Sequence, residues 1–428
     1  MMAQVVDRWH LSRPKRGATP CAEHNSKTRT LVPSADHGKG MRWSVRYRDV
    51  KGQQKKENFA RKPDADARAA AVETDLNRGE FVDRKAGQET FRAAAERWRT
   101  SAVHRPSTAA SVRQRLETHV YPSIGDRPIG QIRPSEIQAW IKGRSSVLAP
   151  VSLRNTYAII VTVMRSAVLD GGIRSSPCDG VKLPSRRRTE VVPPSDAAVR
   201  ALIDAAPTLR ERALILLAAA SGLRQGELFG LEVDHIDFLR REVRVKQQLV
   251  CVTGKQAVGV YLGPPKTHEA TRTVPLAKAA VEAVAIYLAH CPAAEVEVWD
   301  RTDPRRPVQR KVRLLFPNAA GRPTQRSPWA RTWCAIVGEA NAALEAAGSV
   351  VRVPAGTTLH DLRHYYASLL IKHRESVKTV QKRLGHSKPS ITLDTYCHMW
   401  LDDEDTTRAA VEAALGDVPP MCPERRVG

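Results

Sequence analysis

The stretch Leu359-His360-Asp361-Leu362-Arg363-His364-Tyr365-Tyr366-Ala367-Ser368, LHDLRHYYAS, decides how this chain is read. His360 precedes Arg363 by three positions, so one turn of a helix presents both side chains together. A guanidinium fork matches the geometry of a phosphate and stays charged at any working pH. His364, adjacent to Arg363, points elsewhere on such a helix and reads as a buried hydrogen-bonding residue. Tyr365 and Tyr366 follow directly on the same helix and are candidate nucleophiles by residue type only.

Working outward, His386 stands in LGHS (384–387) and Tyr396 in TLDTYCH (392–398), while upstream lie Lys266 in PPKTHEATRTVPL (264–276) and Arg224 in SGLRQGEL (221–228). Two arginines, two histidines and a lysine can hold and neutralise a phosphodiester, because positioning and electrostatic stabilisation supply most of the catalysis in phosphoryl transfer. A phenol of pKa about 10 is a weak nucleophile at neutral pH, so Tyr396 needs a base and an electropositive site. Each residue also has a plainer reading: Lys266 as a solvated side chain, His386 as a helix-end hydrogen bond, Glu227 as a group that orients its neighbours.

In this order and spacing the set resembles the tyrosine recombinases, the phage integrase family, over residues from about 88 to 416. The resemblance implies that Tyr396 attacks the scissile phosphate, leaving a 3′-phosphotyrosine and a free 5′-hydroxyl. It implies that Arg224 and Arg363 bind the non-bridging oxygens, that His360 is the candidate base, that Lys266 protonates the departing 5′-oxygen and that His386 bonds a phosphate oxygen. No cofactor, ATP or metal is expected. The expected partners are double-stranded DNA attachment sites, four protomers acting on two duplexes, and a DNA-bending host factor and an excision factor. YPSIGDRPIGQIRPSEIQAWI (121–141) resembles the family's core-binding signature. The rivals are a type IB topoisomerase-like enzyme and a catalytically silent DNA-binding protein of the same fold.

Length and charge fit. A chain of 428 residues suggests about three domains, and a net charge of +23 favours a polyanionic partner. The apolar run Ala213 to Ala220 is far short of a membrane span, and the basic N-terminus lacks the apolar stretch of a secretory signal. The expected location is the cytoplasm, with the nucleoid. Seven cysteines without a C-x-x-C pair fit reduced thiols rather than a disulfide framework or zinc ribbon. Cys397 and His398 adjoin the tyrosine, but neighbouring helix residues point different ways, so no metal site is expected.

The expected fold is multidomain and mainly α with small β-sheets. A flexible basic arm (1–40) precedes an arm-binding module with a three-stranded sheet (41–83). There Trp43, Val45 and Tyr47 alternate with polar residues, and Arg42, Arg46, Arg48 and Lys55 are DNA-binding candidates. A helical, SAM-like core-binding domain (88–183) follows, with Trp98 and Trp140 on apolar stripes. The Pro-containing linker (184–196) carries Arg186, Arg187 and Arg188 as further DNA-binding candidates. The α+β catalytic domain (197–416) has strands near Val243 to Val250, Val258 to Leu262 and Thr271 to Val274 flanking the lysine turn. Residues 417–428 form a tail.

Overall fold

The computed structural model describes residues 3–24, 30–49, 52–77, 86–185, 190–252, 259–400 and 404–416. The chain divides into two units, 1–187 and 188–428.

The first unit begins with an antiparallel sheet of β1 (Gln4–Asp7), β2 (Trp43–Arg48) and β3 (Gln54–Phe59), with β2 in the centre. Strand alternation sends Val45 and Tyr47 toward helix α1 (Lys62–Asn77), where they pack with Ala65, Ala69 and Val72. The same alternation turns Arg46 and Arg48 to the opposite face, where both are exposed. The third strand comes from the segment expected to be a flexible arm, and that expectation is corrected. β1 pairs with β2 from Gln4↔Arg46 to Asp7↔Trp43, and the chain returns through a bridge between His10 and Pro33. Polar and aromatic contacts order this segment, so hydrophobic periodicity had nothing to report.

Helices α2 (Phe91–Ser101), α3 (Pro106–Arg115), α4 (Tyr121–Ile124), α5 (Pro134–Ser145) and α6 (Pro150–Leu169) follow. Proline opens α3, α5 and α6, where its missing N–H costs nothing. Phe91, Leu116, Ile137, Ile160 and Met164 are fully buried in one core, with Trp98 packed against it. Trp140 is buried there too and donates its indole N–H to the His119 carbonyl at 2.9 Å, a packing role rather than a surface for bases.

The second unit opens with α7 (Asp196–Asp204), capped by the Ser195 hydroxyl, then α8 (Leu209–Ser221) and α9 (Gln225–Phe229). α8 is apolar nearly all round and buries Ala213, Leu214, Ile215, Leu217 and Ala218, so it forms the spine of the unit. Truncating Leu217 to Ala there would cost about 2–5 kcal/mol. Strands β4 (Ile236–Asp237), β5 (Glu242–Val245), β6 (Gln248–Val252), β7 (Gly259–Gly263) and β8 (Arg272–Pro275) come next. They are followed by α10 (Lys278–His290), β9 (Val296–Asp300) and β10 (Val308–Val312). The unit continues with α11 (Arg326–Ala346), α12 (Asp361–Lys372), α13 (Val377–Leu384), α14 (Pro389–Tyr396) and α15 (Glu404–Leu415).

The strands make two sheets, β4-β5-β8 and β10-β9-β7-β6, with β7 parallel to β9. The single strand expected over 243–250 is therefore two. The break falls at Gln247, whose amide turns inward to donate to the Gly230 carbonyl at 2.8 Å and to Glu232 at 2.9 Å. Consequently the lysine turn joins two sheets rather than two strands of one. No helix among the described residues is long and apolar enough to cross a membrane.

Candidate active site

Two glycine helix ends set the site. Gly222 ends α8 at φ 61° and Gly385 ends α13 at φ 65°, left-handed conformations that favour glycine. A Cβ on Gly222 would lie 2.5 Å from the Tyr366 ring, so the close approach also requires glycine. Their carbonyls then become acceptors for the arginines. Arg363, only 2% exposed, donates to Gly222 O at 2.7 Å and to Leu384 O at 2.6 Å. Arg224 donates to Gly385 O at 3.1 Å. Cations at helix C-termini are favoured by the dipole, and a carbonyl fixes a guanidinium without cancelling its charge. Burial and the neighbouring Arg224 lower the pKa of Arg363 to about 9, which leaves it charged at neutral pH.

Arg224 has one carboxylate partner, Glu227, which accepts from its guanidinium at 2.9 Å and from its backbone N–H at 3.0 Å. Glu227 is 1% exposed and also accepts from Arg272 at 2.9 Å. Arg272 in turn donates to Arg383 O at 2.7 Å. Burial would raise the Glu227 carboxyl, but Arg272 and Arg224 outweigh it and hold it below its usual range. Arg272 sits in the TRTVPL return strand beyond Lys266 and was absent from the sequence reading. Its signal there was a charged residue at an inward strand position, which periodicity counts as an error.

Tyr396, the last residue of α14, is 1% exposed. Its hydroxyl lies 2.8 Å from Nδ1 of His364. The expectation that His364 points away is corrected: the side chain of Tyr396, at the end of α14, reaches α12 at His364, and it is His364, not His360, that touches the phenol. The His360 ring stands edge-on to His364, 5.0 Å between centroids, in a chain of three rings ending at Tyr396. Burial lowers His364 below the usual histidine range, so its imidazole is neutral and able to accept a proton. His360 is lowered as well, by packing around its ring and by His364 and Arg363, although it keeps an exposed edge. Burial pushes Tyr396 up to about 12 against the pull of Arg363 and Arg224, so the resting phenol is protonated.

His386 follows Gly385, and its Nδ1 meets the Thr392 hydroxyl at 2.9 Å, which fixes the ring. Burial and the charges of Arg363, Arg224 and Arg272 press its pKa down to about 3. Lys266 is exposed in the turn between β7 and β8. Arg363 and Arg224 thus converge through α8 and α13, and Tyr396 closes on His364, while Lys266 is carried by the loop between β7 and β8.

The sequence-derived DNA-binding candidates separate into groups. Arg46 and Arg48 are exposed on the outer sheet face, joined by Lys56, which the register sets opposite Arg46 and which the sequence reading passed over. Lys55 lies on the helix side, opposite Tyr47, 3.6 Å from Asp49. Arg42 is held by Asp7 at 2.8 Å and lies 4.9 Å from the Trp43 ring centroid. Arg186, Arg187 and Arg188 lie outside the described residues.

The phage integrase family matches residues 195–401, and the phage integrase central domain matches residues 91–183. The chain is 30% identical over 254 residues to a tyrosine recombinase XerC-like protein of Caldanaerobacter subterraneus, covering 56% of this chain but only 60% of that protein. It is 22% identical to the integrase of Mycobacterium phage D29, over 83% of this chain and 89% of that one. Among solved structures, the Tn1549 transposon integrase in complex with transposon right end DNA superposes with a TM-score of 0.62 at 21% identity. That likeness of fold covers 76% of this chain and 99% of the other.

Proposed function

The chain belongs to the phage integrase family, the tyrosine recombinases, and from that membership we propose that it integrates or excises a phage or mobile element by cutting and rejoining DNA through a 3′-phosphotyrosine, with Tyr396 as nucleophile. The observation that carries the assignment is the 2.8 Å contact between the Tyr396 hydroxyl and His364 beside the carbonyl-anchored Arg363. The phenol proton passes to that imidazole as the oxygen attacks phosphorus. Arg224 and Arg363 stabilise the non-bridging oxygens, and losing one such donor costs about 2.7–4 kcal/mol of transition-state stabilisation. His386, oriented by Thr392, bonds a phosphate oxygen. The bond from phosphorus to the 5′-oxygen breaks, and Lys266 gives that oxygen its proton.

In this reading the chemistry needs neither ATP nor metal, because the phosphotyrosine conserves the bond energy for rejoining. Four chains act on two duplexes, since exchanging four strands takes four tyrosines. The exposed Arg46, Arg48 and Lys56 face meets arm DNA away from the crossover, which favours a phage or integrative-element enzyme acting at the nucleoid over a chromosomal resolvase. A host bending factor and an excision factor complete the assembly. The match to the integrase central domain supports recombination over a topoisomerase activity.

The test is covalent trapping. Wild-type and Tyr396→Phe proteins are mixed with supercoiled DNA carrying the gene's flanking sequence, with EDTA present, and stopped with SDS. An adduct from the wild type alone, accompanied by recombined product, is expected. An adduct surviving in the phenylalanine variant overturns the choice of nucleophile, and an adduct without any recombinant points to a topoisomerase.

A further inference from the structure

Between β1 and β2 the chain brings His10, Cys21, His24 and His37 together, with one ligand atom from each lying within 4.8 Å of all the others. The Cys21 sulfur is 3.2 Å from His37 Nε2 and 3.5 Å from His24 Nδ1, and those two nitrogens are 3.3 Å apart. Zinc bonds of about 2.0–2.3 Å in a tetrahedron place ligand atoms about 3.3–3.8 Å from one another. The Cys21, His24 and His37 spacings are those of a coordination shell, and His10 lies within 4.8 Å of each of them.

The donor chemistry fits as well. One thiolate with three imidazoles suits Zn²⁺, a borderline-soft ion bound by sulfur and nitrogen. The His10 side chain is 1% exposed and its Nδ1 meets Asp7 Oδ2 at 2.9 Å. That contact leaves Nε2 as a lone-pair acceptor, and among the described residues this buried atom has no hydrogen-bond partner. Hydrogen bonds among the other three side chains therefore cannot account for the cluster, because the buried His10 takes no part in them. A cation at the centre would satisfy His10 Nε2, Cys21 Sγ and both remaining nitrogens at once. Asp7 would then be the outer carboxylate that orients a ligating histidine, and it is itself held by Arg42 at 2.8 Å. Trp9 packs against the His24 and His37 rings, 5.6 and 5.7 Å between centroids, and walls the site.

We propose that His10, Cys21, His24 and His37 bind one structural Zn²⁺, which pins the excursion between β1 and β2 onto the sheet that carries Arg46, Arg48 and Lys56. Binding converts the Cys21 thiol to a thiolate and releases its proton to solvent. The ion is remote in sequence from the catalytic residues and takes no part in strand cleavage. Its effect falls on the shape of the basic sheet.

The test uses the full chain, expressed with added zinc and purified without chelator. One zinc per chain is expected, and substitution by Co²⁺ should give intense tetrahedral d–d bands with a thiolate-to-cobalt charge-transfer band. A Cys21→Ser/His24→Ala double variant should lose the metal, while Cys291→Ser keeps it. Asp7→Asn should weaken zinc affinity roughly 10–100-fold without abolishing binding. Zinc well below one per chain overturns the proposal. So does zinc retained by the double variant, or cobalt bound by the wild type without the thiolate band. The cobalt spectrum is read on wild-type protein, so the proposal stays testable even if the double variant fails to fold.

Discussion

Replacing Glu227 by Gln keeps its volume and removes the one negative charge held between Arg224 and Arg272. Glu227 accepts from both guanidinium groups at 2.9 Å while only 1% exposed. Removing one partner of a buried ion pair costs about 3–5 kcal/mol. Gln retains one acceptor oxygen, so the expected loss is at the lower end, about 3 kcal/mol. For a unit of this size each kcal/mol shifts the midpoint by about 2–4 °C, which gives a fall of about 6–12 °C. Arg224 also loses its anchor, so part of the 2.7–4 kcal/mol that a phosphate-oxygen donor supplies should go with it. Covalent adduct formation at saturating DNA should then slow by about 10–100-fold. The acid limb gives an independent check. The folded pKa of Glu227 lies below 4.5, so its stabilisation is fully present above that pH and is lost as the pH falls through the folded value. The Gln variant should lack that part of acid unfolding. The measurements are thermal unfolding from neutral to acid pH and single-turnover trapping. A variant with wild-type midpoint and acid limb, cutting at the wild-type rate, would refute the account of Glu227 as the keystone between two arginines.

Four further outcomes follow from the same geometry. His364→Ala should slow adduct formation by about 10²–10⁴-fold, the range of general base catalysis, and by more than His360→Ala; equal effects would place the proton acceptor elsewhere. Lys266→Ala should be rescued by a substrate with sulfur at the bridging 5′-position, because a thiolate leaves without a proton, and failure of that rescue would remove Lys266 from the leaving-group role. Arg46→Gln/Arg48→Gln/Lys56→Gln should weaken binding to arm DNA and flatten its salt dependence by about 0.9 per lost phosphate contact, with cleavage of a core-site duplex unchanged. Gly222→Ala should destabilise the catalytic unit by displacing Tyr366 and straining φ 61°; an unchanged melting curve would show that this approach is not needed.

Much of the site is legible in the sequence because its parts sit on short local patterns. His360 and Arg363 are one helical turn apart, and Gly222 and Gly385 mark helix ends beside Arg224 and His386. What the sequence conceals is the packing of one helix on another. Nothing in the spacing of His364 and Tyr396 says that the phenol at the end of α14 reaches His364 on α12. Gln247 splits a strand because its partner Gly230 lies in a preceding turn, and Arg272 is a charge at an inward strand position that makes sense only once Glu227 is placed beside it. The N-terminal segment was missed for a different reason. Its order comes from a short edge strand and from histidines clustered across a long excursion, and neither leaves a period in the hydrophobicity. A search for cysteine pairs passes over a cluster that has one sulfur and three imidazoles.

The depth of Tyr396 bears on how such an enzyme searches a chromosome. A basic protein on DNA spends most of its time at sites that are not its own, and a phenol ready to react at each of them would leave breaks along the route. Here the phenol is sealed from solvent and tied to His364, with its proton held up to a pKa of about 12. If Tyr396 is the nucleophile as proposed, the resting chain would therefore bind DNA with its phenol still protonated and covered. On the proposed chemistry, fidelity would be divided between finding a site and uncovering Tyr396, and a substitution that loosened α14 would blur that division.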